Sequence, residues 1–352
     1  MAKKIGRQTI QMENKPFILG YGSVAGQKES KGPIGACFDK IFEDSLMNEK
    51  TWERAEALFQ KEAAVIAMNR ANITPKDLDF VFAGDLLDQC ISSILGFKYM
   101  QVPFLGQFGA CSTMAQCMIL ASIMVDSGVA KNCLATTSSH FCSAERQYRF
   151  PLEYGGQRTP TAQWTVTGAG AVIIGDSNTD PDAICIEKAL VGEIIDFEIT
   201  DASNMGAAMA PAAAKSIESF LNETNSVPED YDLILTGDLG KLGSEMLKKI
   251  LLKSDINITQ NHNDCGLMIY NLKEQDVHCG GSGCGCSAST LCSVILQKMK
   301  LKRFNNILFL ATGALMSPTS FKQGESIPGI AHLLQIKNTK NTANSNKVAS
   351  SI

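Results

Sequence analysis

The 352-residue chain has little of what would mark it as a membrane, secreted or nucleic-acid-binding protein. Its longest candidate span, Cys117 to Val125, covers nine residues, far short of the roughly 20 that cross a bilayer as a helix. Its N-terminus, Met-Ala-Lys-Lys, runs into mixed polar residues with no apolar core of a secretory signal, so the expectation is a protein that is not secreted and keeps its cysteines reduced. Net charge is only −4, with no block of like charges, which argues against nucleic acid as a partner. Aromatic residues make up 7%, and histidine occurs four times. No Cys-x2-Cys knuckle and no Gly-Lys-Ser/Thr ending occur, which removes the usual zinc and phosphate-loop signatures. What is abundant is apolar: 45% hydrophobic residues, with 29 glycines and 12 cysteines. A chain this apolar buries a large core, roughly 75% of its unfolded surface at this length.

Short apolar runs alternate with longer helical periods, the pattern of an α/β fold. Strands are expected at Phe17–Tyr21, Phe80–Ala83, Cys133–Thr137, Ala171–Ile174, Ile184–Leu190, Leu233–Thr236 and Ile307–Ala311. Thr51–Ala71 carries one apolar stripe and stops at Asn72 to Pro75, whereas Ser112–Ser127 is apolar nearly all round, as in a helix buried within the protein. The segment after Ile336 is poor in large apolar side chains, so residues 337–352 read as a disordered tail.

An internal repeat organises the rest. Leu78-Asp-Phe-Val-Phe-Ala-Gly-Asp-Leu86 resembles Tyr231-Asp-Leu-Ile-Leu-Thr-Gly-Asp-Leu239; Cys111-Ser112 with Cys117 resembles Cys286-Ser287 with Cys292; Leu134-Ala-Thr-Thr137 resembles Leu310-Ala-Thr-Gly313. Three pairs in one order imply two copies of an α/β unit, residues 1–178 and 179–336, with the inner helices sandwiched between two sheets.

Cys111, in Phe108-Gly-Ala-Cys-Ser-Thr-Met114, sits at a helix start, where the macrodipole favours a thiolate nucleophile; it equally suits a small buried hydrophobe. His140 follows a strand, at the edge where open α/β sheets hold ligands. It opens a stretch with Glu145, Arg146, Tyr148, Arg149, Phe150, Tyr154, Arg158 and Trp164, whose guanidinium forks and rings suit a flat anion or a subunit interface. His278-Cys-Gly-Gly-Ser-Gly-Cys-Gly-Cys-Ser287 is read as a tight turn feeding a buried helix rather than a metal site. His262 and His332 are weaker candidates.

These segments, with Thr167-Gly-Ala-Gly-Ala-Val-Ile-Ile174, resemble the thiolase-like superfamily. Gly106–Met114, Ser138–Phe150, Asp276–Ser287 and Ile327–His332 further resemble the stage V sporulation protein AD family. The resemblance implies a five-layer αβαβα fold and binding of dipicolinic acid (pyridine-2,6-dicarboxylic acid) or its calcium chelate. It also implies work beside membrane proteins of the same operon that carry the acid into the forespore, with peripheral association at the spore inner membrane. A homodimer is expected, as in the superfamily, and no cofactor beyond calcium accompanying the ligand. Ketoacyl synthases pair their cysteine with a histidine and an asparagine or second histidine from the second half; neither motif stands here, since His262 is followed by Asn263-Asp-Cys. The expectation is therefore a non-catalytic pocket lined by Cys111, His140, Arg146, Tyr148, Arg149, Arg158, Trp164 and His278. The alternative is a Cys111 acyltransferase or condensing enzyme with His262 or His278 as base.

Overall fold

The computed structural model describes residues 1–148, 158–178, 180 and 182–339. All seven expected strands are present, as Phe17–Gly26, Phe80–Gly84, Asn132–Ser139, Gly168–Gly175, Ile184–Leu190, Leu233–Thr236 and Asn306–Ala314. Phe104–Gly106, His262–Asp264 and Gly329–Asn338 complete two five-stranded sheets joined edge to edge, with Thr9–Gln11 added beside Ile184–Leu190 and Lys40–Phe42 beside Phe17–Gly26.

The sheets repeat one order. In the first half, Phe104–Gly106, Phe80–Gly84 and Asn132–Ser139 run parallel, followed by antiparallel Gly168–Gly175 and Phe17–Gly26. In the second, His262–Asp264, Leu233–Thr236 and Asn306–Ala314 run parallel, followed by antiparallel Gly329–Asn338 and Ile184–Leu190. The two sheets meet where Phe17 and Ile18 pair antiparallel with Cys185 and Ile184.

The duplication reaches individual hydrogen bonds. Asp79 Oδ2 accepts from the amides of Lys131 (2.7 Å) and Asn132 (3.1 Å), and Asp232 Oδ2 accepts from those of Asn305 (2.6 Å) and Asn306 (3.0 Å). Each ties the start of one parallel strand to the turn before its neighbour. The outer helices match too: Trp52–Ala71 ends on Asn72 at φ +55° and Met205–Thr224 on Asn225 at φ +50°, the left-handed cap that asparagine tolerates. Thr51 starts the first of them by accepting from the Arg54 amide at 3.3 Å.

Five layers result. Trp52–Ala71 packs Phe59, Ala63 and Ala67 on Val81 and Ile173 of the first sheet; Met205–Thr224 packs Met209, Ile217 and Phe220 on Ile234 and Leu308 of the second. Between the sheets lie Thr113–Asp126, whose Met114 and Met118 are fully buried, and the helix opening at Cys284–Thr290. Gly22 and Gly170 let helices lie directly on strands: an added Cβ would fall 2.3 Å from Ala63 O and 2.3 Å from Ala288 O respectively.

The strand Gly329–Asn338 runs two residues into the stretch read as tail, pairing Lys337 and Asn338 with Cys185 and Ile184. Its polar residues hide it from a hydrophobic-run reading because each is buried with a partner. Gln335 bonds Asn306 and Lys188, and His332 Nδ1 accepts from the Gly192 amide. Residues 340–352 lie outside the described residues.

Candidate functional site

Cys111 follows Ala110, which holds a left-handed φ of +51° without being glycine, a strained backbone of the kind stored at functional turns. The turn is tied by its own hydroxyls: Ser112 Oγ donates to Gly109 O and Thr113 Oγ1 to Ala110 O, both at 2.6 Å. The inner helix runs on from there as Thr113–Asp126.

The second half brings a short ribbon to this cysteine. Gly281–Ser282 pairs parallel with Trp164–Thr165, placing Ser282 Oγ 3.9 Å from Cys111 Sγ. Behind it, the buried Asp238 accepts from Ser282 Oγ (3.1 Å), the Gly283 amide (2.9 Å) and Thr312 Oγ1 (2.7 Å). Burial, then the Asp238 charge, push the Cys111 thiol well above its usual range. This overturns the thiolate expected from the helix start. The macrodipole contributes only about 0.3–1 kcal/mol, and desolvation beside a carboxylate opposes it.

A cavity of about 40 Å³ opens beside Cys111, lined by Ser282, Glu145, Thr165 and Tyr148 with Leu86, Met205 and Met316 among its apolar walls. That is room for about three waters. Neither proposed base lines it. His262 Nε2 lies 3.1 Å from Thr236 Oγ1, and burial and Lys248 push the ring down to about 3. His278 turns to Thr159 O at 2.6 Å and to Asp276 at 3.1 Å. No lysine or arginine is among the described residues that line the cavity.

The expected binding residues thus divide into separate places. Cys111 and Tyr148 face the cavity, Tyr148 donating its hydroxyl to Leu86 O. Trp164 and Thr165 are consecutive in a strand, so their side chains point to opposite faces of the ribbon: Thr165 toward the cavity, where it donates to Glu145 at 3.1 Å, and Trp164 away from it. On that far face Phe141 stacks on Trp164 at 3.9 Å, Lys28 Nζ sits 3.8 Å from the ring centre and Arg158 Cζ 4.6 Å. Arg158 Nη2 donates to Asp276 O at 2.6 Å and lies 3.3 Å from the Asp276 carboxylate, while its buried Nη1 has no hydrogen-bond partner among the described residues. Arg158, Thr159, Pro160 and His278 line a groove of about 570 Å³.

His140 and Arg146 join neither place. His140 is buried against Trp52 and Phe59, with Nε2 2.9 Å from Ser45 O and Nδ1 accepting from the Cys142 amide. Arg146 pairs with Glu53 on the first outer helix. Arg149, Phe150 and Tyr154 lie outside the described residues. Cys279, Cys284 and Cys286 donate their thiols to three separate carbonyls, of Pro160, Ser138 and Gly237.

Among the residues of these two places that escaped the sequence reading are Asp238, Ser282 and Lys28. Asp238 had a signal, since it repeats Asp85 in the paired Gly-Asp-Leu segments. Lys28, in Gln27-Lys-Glu-Ser30, had none.

A family model for stage V sporulation protein AD (SpoVAD) matches residues 6–337. The chain is also 45% identical over 330 residues to "Stage V sporulation protein AD" of Bacillus subtilis (strain 168), covering 94% of this chain and 96% of that protein. The chain belongs to the stage V sporulation protein AD family. Solved structures place this family member in the thiolase-like fold expected from the sequence. 3-Oxoacyl-[acyl-carrier-protein] synthase III of Aquifex aeolicus VF5 matches with a TM-score of 0.55 at 14% identity, over 92% of this chain and 99% of that one. A cysteine-to-alanine variant of Xanthomonas campestris OleA matches with a TM-score of 0.60 at 13% identity, over 96% and 100%. At such identity the likeness carries the fold alone. No described helix is long and apolar enough to cross a membrane.

Proposed function

We propose that this sporulation protein is a non-catalytic binder of a small planar dicarboxylate, pyridine-2,6-dicarboxylate or its calcium chelate. In this reading it supports uptake of the acid into the forespore beside membrane proteins of its operon, from a peripheral position at the spore inner membrane. The observation that carries the reading is the gathering of Arg158 and Lys28 on the Trp164 ring, with His278 in the adjoining groove. Arg158 and His278 already share the carboxylate of Asp276, at 3.3 and 3.1 Å, but that side chain is 79% exposed, and a dicarboxylate entering the groove competes with it for the two side chains. Arg158 Nη1, buried and without a partner among the described residues, has a donor to offer, and each charge-assisted hydrogen bond contributes roughly 1.5–3 kcal/mol. A flat dianion suits such a site, and no cofactor is required. The Cys111 cavity fits it less well, being small and lined by the buried carboxyl of Glu145, with no lysine or arginine among its described lining residues; an unpaired dianion there bears a steep desolvation cost. A homodimer is part of the proposal: the edge strand Phe104–Gly106 and the nearby Phe108 expose Leu105 at 43% and Phe108 at 47%, and an uncovered edge invites pairing with a second copy. Calorimetric titration with pyridine-2,6-dicarboxylate, with and without equimolar calcium, tests the binding; absence of heat and of any thermal shift at millimolar ligand would contradict it.

The strained turn that presents Cys111, in a fold shared with condensing enzymes, favours a second reading as a Cys111 acyltransferase or condensing enzyme. Against it stand the thiol held neutral by burial and Asp238 and the absence of either histidine from the cavity lining. A thiolate with no base to generate it loses several powers of ten in rate. Intact-mass measurement after incubation with acyl-CoA decides: an acyl adduct on Cys111 establishes this reading.

A further inference from the structure

A groove of about 560 Å³ lies on the outer face of the first half, between the outer helix Trp52–Ala71 and the short helix Ile91–Phe97. We propose that it docks an acidic amphipathic helix of a partner protein. The two helices touch at Gly96, where an added Cβ would lie 3.0 Å from Ala57 O. Leu58, Val65, Leu95 and Met100 supply an apolar floor, and Arg54, Lys61 and Lys98 stand beside it. Arg54, Leu58, Lys61 and Val65 recur at helical spacing, so one stripe of the outer helix faces the groove; it extends about 16 Å, some three turns of a docked helix.

The charges of this groove are uncompensated. Arg54 and Lys61 are exposed, with no ion pair or side-chain hydrogen bond among the described residues, and Lys98 meets only the Tyr99 ring at 4.7 Å. The acids on the same helix are committed elsewhere, Glu53 to Arg146, Glu62 to Lys40 and the buried Glu56 to Ser138 and Ser143, and Glu49 is the one acid among the described residues lining the groove. An occupant therefore carries negative charge and an apolar ridge. The chain's own residues 340–352 do not qualify, since they contain Lys340 and Lys347 and no acid. A second copy seated symmetrically would bring these cations against themselves. A bilayer presents a flat face, whereas the apolar floor is recessed between two helices and is reached by side chains projecting from a ridge, the helix-in-groove mode.

The test is fluorescence anisotropy of the full chain with a labelled 18-residue helical peptide, leucine at positions i, i+4, i+7 and i+11 and glutamate on the flanks. A peptide with glutamine in place of glutamate and vesicles of phosphatidylglycerol serve as comparisons. The expected result is saturable binding in the micromolar range, weakened at least roughly tenfold by Arg54→Glu with Lys61→Glu, by the glutamine peptide and by raising salt from about 50 to 500 mM. The salt and peptide comparisons use the native chain, so a variant that fails to fold does not obscure the answer. Absence of binding at about 100 µM peptide, binding indifferent to salt and to the acidic flanks, or vesicle binding without peptide binding would each overturn the proposal.

Discussion

Arg158 and Trp164 are in direct contact, the guanidinium carbon 4.6 Å from the centre of the indole ring, and Lys28 approaches the same ring to 3.8 Å. The like charge of Arg158, after burial, lowers the Lys28 ammonium below its usual range. The exposed Asp276 carboxylate offsets part of that repulsion, and in the proposed site a bound dicarboxylate offsets more of it, so Lys28→Gln should weaken dicarboxylate binding several-fold while leaving the melting temperature within a few degrees. Titration calorimetry and a thermal melt on one preparation check both.

Cys111 should be a slow nucleophile. Intact-mass kinetics with iodoacetamide at pH 8 are expected to show it alkylated far more slowly than a free thiol, which ordinarily titrates near 8.5. Asp238→Asn removes the neighbouring charge that helps hold the proton, and should speed alkylation by roughly tenfold or more, the equivalent of about one pKa unit.

Two buried carboxyls, Glu56 and Asp85, feel each other's charge. Glu56 accepts from Ser138 (3.1 Å) and Ser143 (2.7 Å), and Asp85 from Ser93 and the Leu87 amide. Burial, then the Asp85 charge, push Glu56 up from 4.5 to about 8. Its folded form binds a proton that the unfolded chain releases above pH 4.5, so its contribution is complete below that pH and is lost as pH rises to about 8. Melting temperature should fall from pH 5 to pH 8, and Glu56→Gln should flatten that slope. A profile unchanged by the substitution would show that Glu56 does not titrate this way.

The duplicated aspartates should be energetically equivalent. Asp79→Ala and Asp232→Ala each leave two strand-start amides without their acceptor, and because those amides are largely within reach of water each is expected to cost about 0.5–1.5 kcal/mol in urea unfolding. A loss confined to one half would mean that the symmetry of the bonds does not extend to stability.

Much of the fold was legible because buried parallel strands are continuous apolar runs, and Phe80–Gly84, Leu233–Thr236 and Asn306–Ala314 read as such. The internal repeat supplied the pairing of halves, and it held an unused signal for Asp238 in the repeated Gly-Asp-Leu. The strand Gly329–Asn338 was hidden by His332 and Gln335, polar groups that pass as surface until their buried partners are seen. The site was less legible for a geometric reason. His140, Arg146, Tyr148, Arg158 and Trp164 lie within 25 residues, yet a helix and the alternating faces of a two-residue strand distribute them among a core, an ion pair, a cavity and a groove. Nearness in sequence says nothing of which face a side chain takes, and Lys28 and Ser282 join their clusters from more than 100 residues away.

The central claim, that a planar dicarboxylate is held by the cations around Trp164, is tested most directly by titrating the native chain and two variants, Arg158→Gln and Cys111→Ala, with pyridine-2,6-dicarboxylate in a calorimeter. The expected result is saturable heat for the native chain, at least roughly tenfold weaker affinity for Arg158→Gln, equivalent to about 1.4 kcal/mol, and affinity within about twofold for Cys111→Ala. Binding that survives Arg158→Gln unchanged, or that is lost in Cys111→Ala alone, would contradict the claim.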